Sequence, residues 1–386
     1  MLPYILVAGS IALSLASGLG LAGTAGVFRD GLLARGTLEL LAIVTMIEML
    51  TVLLEATGSL RRMLAGLRTL IDDARVLIAI VPSVLGLFPI PGGAILSAPM
   101  VGKYGDELGM GTDDKSALNL FFRHIFDQVF PFKPHLILAA TVLNLPLFTL
   151  IGWQLPVSIA AALVGYWYMV GRKPRAPATP DVAPAPDERS RSMWADSAPF
   201  LIPLILGIVL RVDFTYAMGA GVLFAIATQG NSALLKKMVS KGLRFRMLFI
   251  LAAVMIFKTA VERSGVVGGL AEILSGYGVP PALLVGVLPM ILGIATGLEV
   301  AVVAIGYPLL VGLIPAGEPM IPYILVMMVS NAVGATLSPA HLCMAAGNEY
   351  FKASLAGVIR WNLFPQGFRY LATVAFALAV GAWWRG

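Results

Sequence analysis

The sequence predicts an all-α integral membrane protein built from two inverted repeats, each with a re-entrant hairpin and a discontinuous helix. Three observations predict it. The composition is too apolar for water, short motifs recur at a nearly constant offset, and proline or glycine interrupts several apolar segments.

The 386 residues are 58% hydrophobic and 12% charged, with a mean hydropathy of +0.88. A water-soluble domain carries about 25% charged residues, so this chain has too little polar surface to face water all round, and the bilayer is its expected solvent. Its 41 glycines and 25 prolines fit membrane helices, where neighbouring helices satisfy the freed backbone groups. The net charge of +6 is a signature of topology; no interleaved basic and aromatic residues suggest a nucleic-acid partner. The single cysteine, Cys343, has no partner for an internal disulfide. The first apolar stretch lacks a basic start and is expected to be a membrane helix, not a cleaved signal.

Apolar windows predict spanning helices at 3–27, 38–57, 118–143, 150–170, 197–211, 213–231, 245–262, 320–346 and 366–384. Segments 77–101 and 282–312 are broken at their centres and are expected to be re-entrant hairpins. With the N-terminus inside, 18 basic residues between Arg61 and Arg360 fall on cytoplasmic segments, against Arg29, Arg35, Arg211, Arg263 and Arg385 outside. This is the bias of the positive-inside rule, and it holds only if neither hairpin crosses. It places the C-terminus outside.

The domain boundaries follow from composition. Residues 172–196, rich in proline, alanine and charge, cannot pack a core and are expected to be a cytoplasmic linker. They separate a first repeat, 1–171, from a second, 197–386. Glu55-Ala-Thr-Gly58 matches Glu262-Arg-Ser-Gly265, and Pro82-Ser-Val-Leu-Gly86 matches Pro289-Met-Ile-Leu-Gly293, both at an offset of 207. Pro134-His-Leu-Ile-Leu-Ala-Ala140 matches Ala340-His-Leu-Cys-Met-Ala-Ala346 at 206. An odd number of crossings separates equivalent points, so the second copy is upside down. Inverted repeats with broken helices near the midplane are an architecture of secondary transporters.

Four interruptions are expected within the membrane: Phe88–Gly93 and Ala295–Glu299 at the hairpin tips, Phe130–Pro134 in helix 118–143, and Gly334–Pro339 in helix 320–346. Free amides at half-helix starts attract anions, and free carbonyls attract cations. Gly92, Gly93, Lys133, Thr296, Gly297, Asn331 and Ser338 are therefore the expected substrate-binding residues. Asp127, Glu299, Ser330 and His341 are expected to serve ion coupling. A charge inside the bilayer is costly and usually functional. Lys133 sits in a break without a local partner, to be stabilised by a bound anion or by a carboxylate such as Glu299. Arg123 and Asp127, like Lys258 and Glu262, are spaced to pair along one helix face, and Glu48 is expected at a helix interface. His124, His135 and His341 do not cluster by spacing, so no metal site is expected.

Phe88-Pro-Ile-Pro-Gly-Gly-Ala-Ile-Leu-Ser-Ala-Pro-Met100, Leu337-Ser-Pro-Ala-His-Leu-Cys343 and Glu349-Tyr-Phe-Lys352 together resemble an uncharacterised family of prokaryotic integral membrane proteins. That family is grouped with the ion transporter superfamily, whose better-known members carry citrate, C4-dicarboxylates, gluconate or sodium ions. The resemblance implies an elevator-type carrier in the inner membrane, usually a homodimer, with substrate at the two hairpin tips. Ser330-Asn331 looks like the Ser-Asn element of dicarboxylate members, but Ala332 follows where they carry threonine. The first repeat is also expected to lack one N-terminal helix that the second possesses.

The expectation is thus a secondary carrier of a small organic anion, coupled to H⁺ or Na⁺, with no cofactor. A cation/proton antiporter using Asp127 and Glu299 is the alternative. An intramembrane enzyme or lipid-handling protein is a third reading, without support from any His-Glu-x-x-His, aspartate pair or cysteine cluster.

Overall fold

The computed structural model describes residues 2–89, 93–177, 193–229, 231–269, 273, 277–315 and 317–385. Gly92 and linker residues 178–192 lie outside the described residues. Every named element among the described residues is helical. Arg35–Thr57, Leu147–Gly171 and Leu355–Trp383 are long and apolar enough to cross a bilayer, and eight further apolar helices have 10–17 residues. The chain is a multi-pass helical membrane protein.

The first half opens with α1 (Leu2–Ala16) and α2 (Gly20–Leu33), where one span over 3–27 was expected. Gly18 and Gly20, both at positive φ, turn the chain between them. Next come α3 (Arg35–Thr57), α4 (Ser59–Leu70), α5 (Ala74–Gly86), α6 (Gly93–Glu107), α7 (Thr112–His124), α8 (Pro134–Leu143) and α9 (Leu147–Tyr166). The second half holds α10 (Met193–Leu204), α11 (Phe214–Gln229), α12 (Ser232–Gly242), α13 (Phe245–Ser264), α14 (Pro281–Thr296) and α15 (Glu299–Leu310). It ends with α16 (Met320–Thr336), α17 (Leu342–Phe351) and α18 (Leu355–Arg385), the last beginning well before the expected 366.

Helices pack in a reciprocal pattern. α1 and α2 lie on α13, while α11 and α12 lie on α3. The α5–α6 pair packs on α7, and the α14–α15 pair on α16. α6 reaches α17 of the other half, and α15 reaches α8. Local backbone matches too. Gly58 and Gly265 end α3 and α13 in the left-handed region, at φ 72° and 68°. Asn144 and Lys352 end α8 and α17 at φ 54° and 56°.

These caps correct one alignment. α8 starts after Lys133 and α17 after His341, so the two breaks correspond at an offset of 208, where the motif match gave 206. His341 stands where Lys133 stands in the first half, and Cys343 where His135 stands.

The breaks lie where proline predicts, with shifted bounds. α7 stops at His124 and α8 resumes at Pro134, a longer gap than Phe130–Pro134; α16 stops at Thr336 and α17 resumes at Leu342. At 1.5 Å per residue, the 10-residue α8 and α17 each span about 15 Å, half the bilayer's hydrocarbon core.

α4 and α12 are amphipathic helices that apolar windows do not reveal. On α4, Ser59 Oγ donates to the fully buried Asp196 Oδ1 at 2.8 Å, and Arg62 Nη2 pairs with the same oxygen at 2.6 Å. The start of the linker is held as well: Ala74 N–H donates to the Ala176 carbonyl at 3.1 Å. Asp73 caps α5, and the Arg75 guanidinium hydrogen-bonded to it holds its carboxyl below the ordinary carboxylate range. Lys258 and Glu262 pair as expected at 2.9 Å, and Glu48 joins α3 to Arg244 at 3.2 Å.

Candidate functional site

Each hairpin is pressed onto its broken helix at a glycine. A Cβ on Gly86 would overlap the Arg123 backbone carbonyl, and one on Gly293 would lie 2.7 Å from the Ala335 nitrogen. This contact brings the end of α5 to the end of α7, and the end of α14 to the end of α16. Polar side chains from both halves therefore meet.

The first break supplies most of the charge. Asp127 Oδ1 lies 2.6 Å from Lys133 Nζ, and Asp127 Oδ2 lies 2.7 Å from His124 Nδ1. All three side chains are buried. Arg123 does not pair with Asp127 at the expected i, i+4 spacing. The helix ends at His124, so the geometry behind that expectation is absent, and the Arg123 guanidinium instead covers Gly93, where a Cβ would overlap it.

The second half closes over this cluster. Glu299, the first residue of α15, lies 3.0 Å from His135 Nε2 and accepts from Gln128 Nε2 at 3.0 Å. Lys133 is therefore satisfied by Asp127, not Glu299: each carboxylate takes a partner from the first break, but a different one. Asn331 Nδ2 donates to the Glu299 carbonyl at 3.3 Å and to the Tyr307 hydroxyl at 3.4 Å. His341 Nδ1 lies 3.0 Å from the Gly297 carbonyl, and its Nε2 lies 3.1 Å from His124 Nε2. Gly297 ends α14 at φ 65°, and a Cβ there would be 2.7 Å from the Ala340 carbonyl carbon.

Five expected residues, Asp127, Lys133, Glu299, Asn331 and His341, thus fall in one largely buried polar cluster, with Gly297 backing it, while Gly93 lies against the Arg123 guanidinium. Three hydroxyls are engaged with backbone. Thr296 Oγ1 donates to the Leu292 carbonyl at 2.8 Å, Ser330 Oγ to Val326 at 2.7 Å and Ser338 Oγ to Ile294 at 2.6 Å.

Local spacing did not anticipate one juxtaposition. His124, His341 and Cys343 offer ligand atoms within 4.8 Å of one another. They come from two breaks far apart in sequence, which local spacing does not join.

The polar stripe of α18 was not among the expected residues. Asn362, Gln366, Arg369 and Thr373 repeat at i, i+4, i+7 and i+11, and each is at most 2% exposed. This stripe sits on a helix packed against α7, α16 and α9. Arg369 makes no side-chain hydrogen bond or ion pair among the described residues, and the oxygen of Gln366 is also unpaired. The helical periodicity of polar residues in an apolar segment was the available signal. A cavity of about 760 Å³ is lined by residues such as Glu39, Asn144, Arg211 and Asp213, apart from this cluster.

Comparison with family models matches residues 5–381 to DUF401, a protein family of unknown function. The chain belongs to the DUF401 family. Comparison with curated proteins gives no match. Among solved structures, this DUF401 member is similar to the YdaH transporter of Alcanivorax borkumensis, described as having an unusual topology. The TM-score is 0.67 at 13% identity, over 100% of this chain and 99% of that one. At that identity the likeness is one of fold, and it extends from end to end.

Proposed function

We propose that this DUF401 protein is a secondary active carrier of a small organic anion, coupled to H⁺ or Na⁺. It works by elevator-type alternating access, with residues 1–171 and 197–386 as inverted repeats. The reciprocal packing of the two halves and the fold shared with a transporter support this reading. The charge bias supports an inner-membrane protein with its N-terminus cytoplasmic and its C-terminus outside, and the family resemblance supports a homodimer.

One observation carries the choice of substrate. Arg369 is a buried arginine with no counter-ion in contact among the described residues, inside a membrane fold. A guanidinium there is costly unless an anion visits it, and its fork matches a carboxylate. Lys133 is neutralised by Asp127 and so plays the lesser part in binding. Gly93, Gly297, the unpaired Asn331 side-chain oxygen and the backbone-engaged hydroxyls of Thr296 and Ser338 shape the tip region. Asp127, Glu299, Ser330 and His341 are left for coupling. The cation/proton antiport reading would use the same Asp127 and Glu299, paired with Lys133 and His135, and it gives the buried Arg369 guanidinium no role.

The test is uptake of labelled carboxylates into proteoliposomes under an imposed Na⁺ or proton gradient. Gradient-driven uptake that Arg369→Met abolishes is expected, with the thermal midpoint of the purified protein kept or raised, because an uncompensated buried charge has been removed. Normal uptake by a folded Arg369→Met protein would refute the assignment, and cation exchange without anion uptake would favour the antiporter.

A further inference from the structure

The contact between His124 and His341 poses a chemical problem. The Gly297 carbonyl can only accept, so His341 Nδ1 must carry the hydrogen across their 3.0 Å contact. Asp127 already holds Lys133 at 2.6 Å and accepts from His124 Nδ1 at 2.7 Å. With hydrogens so assigned, each neutral ring has its lone pair on Nε2. Yet the two Nε2 atoms lie 3.1 Å apart, acceptor against acceptor. Such a contact is repulsive unless a proton or a cation sits between them.

The chain's only cysteine lies beside the same pair. Cys343 Sγ and the two imidazoles offer ligand atoms within 4.8 Å of one another. Two metal–nitrogen bonds of about 2.0–2.1 Å at a tetrahedral angle place their nitrogens about 3.3 Å apart, close to the separation found. A thiolate completes a set suited to a soft or borderline ion, and a hard oxygen-seeking ion would find no ligand set here. The supporting shell is built too. One histidine is oriented by a carboxylate and the other by a backbone carbonyl, the arrangement that fixes ring orientation and raises the basicity of metal-binding imidazoles.

We propose that His124, His341 and Cys343 form a three-ligand site for a zinc-class transition-metal ion, with a fourth position open. His124 ends α7, while His341 and Cys343 open α17. A bound ion would therefore tie the break of the first half to that of the second. The inference does not rest on the transport reading, because binding is measured on the purified chain without a gradient.

The experiment uses the full-length protein, stripped with chelator, reduced and titrated with Co²⁺. One equivalent should bind and give a thiolate-to-cobalt charge-transfer band in the near ultraviolet, which Zn²⁺ then displaces. With one cysteine in the chain, that band has a single origin. Cys343→Ser should lose it, and Asp127→Asn should weaken binding by about 10- to 100-fold through the ring it orients. Zn²⁺ should also block maleimide labelling of Cys343 in the unaltered protein, a readout that needs no variant to fold. Absence of the band in the unaltered protein, or labelling indifferent to Zn²⁺, overturns the site and leaves a proton shared between the two imidazoles.

Discussion

The two broken helices occupy matching places and differ in chemistry. The first break, between His124 and Pro134, carries Asp127, Gln128 and Lys133 and makes its own ion pair. The second, between Thr336 and Leu342, is shorter and carries Ser338, Pro339 and His341, with no carboxylate or ammonium. Similar packing therefore does not require similar chemistry. Backbone features that set the geometry, such as the helix-ending Gly58 and Gly265, recur in both halves. The charge sits in one half and is answered from the other by Glu299. Two halves that pack alike but carry unlike breaks bring these groups together in one mixed polar cluster.

Removing the ammonium from the first break should have the largest effect on stability. Lys133→Met leaves Asp127 buried beside His124 alone, and losing one partner of a buried pair costs about 3–5 kcal/mol in soluble proteins. Thermal unfolding in detergent should show a large fall, partly restored by adding Asp127→Asn. Glu299→Gln should not rescue, since Glu299 pairs with His135. Rescue by Glu299→Gln instead would mean that the carboxylates share their partners and that the breaks are less independent than described.

The two glycine contacts sharpen the comparison further. Gly86→Ala drives a methyl into the Arg123 carbonyl, and Gly293→Ala meets the Ala335 nitrogen at 2.7 Å. Overpacking costs about 1–3 kcal/mol, and the first-half variant should lose more, because its overlap is with backbone at closer range. Equal losses in unfolding experiments would show that the second contact is as rigid as the first.

The smallest effect belongs to the left-handed caps. Lys352→Gly should stabilise by up to about 1 kcal/mol, because only glycine adopts that backbone without strain. Asn144→Gly should gain less, since asparagine tolerates the left-handed region. A gain at Asn144 equal to that at Lys352 would mean that asparagine's local hydrogen bonding contributes nothing to this cap.

Much of the helical plan was legible in the sequence. Apolar length located most of the helices, and proline and glycine located the interruptions between α5 and α6, between α14 and α15 and in both broken helices, because these residues act on their own backbone. What escaped depends on amphipathicity or distance. α4 and α12 are too polar for an apolar window. The split at Gly18 is a local turn inside an apolar run, hidden from hydropathy. Asp127, Lys133 and Glu299 were legible as costly charges, but their partners were not: Arg123–Asp127 followed helical spacing into a region where the helix had ended.

The sequence by itself determined the solvent, the helical class, the recurring motifs and the charged residues of the breaks, since each depends on composition or on near neighbours. Tertiary structure alone decided that Asp127 neutralises Lys133, that Glu299 takes His135, that Arg369 is buried without a counter-ion among the described residues, and that His124 meets His341 and Cys343. Those pairings form where α7 and α8 of one half close against α15 and α17 of the other, and a contact between segments some 200 residues apart leaves no trace in local spacing, because chain distance sets neither the angle nor the depth at which two helix ends meet.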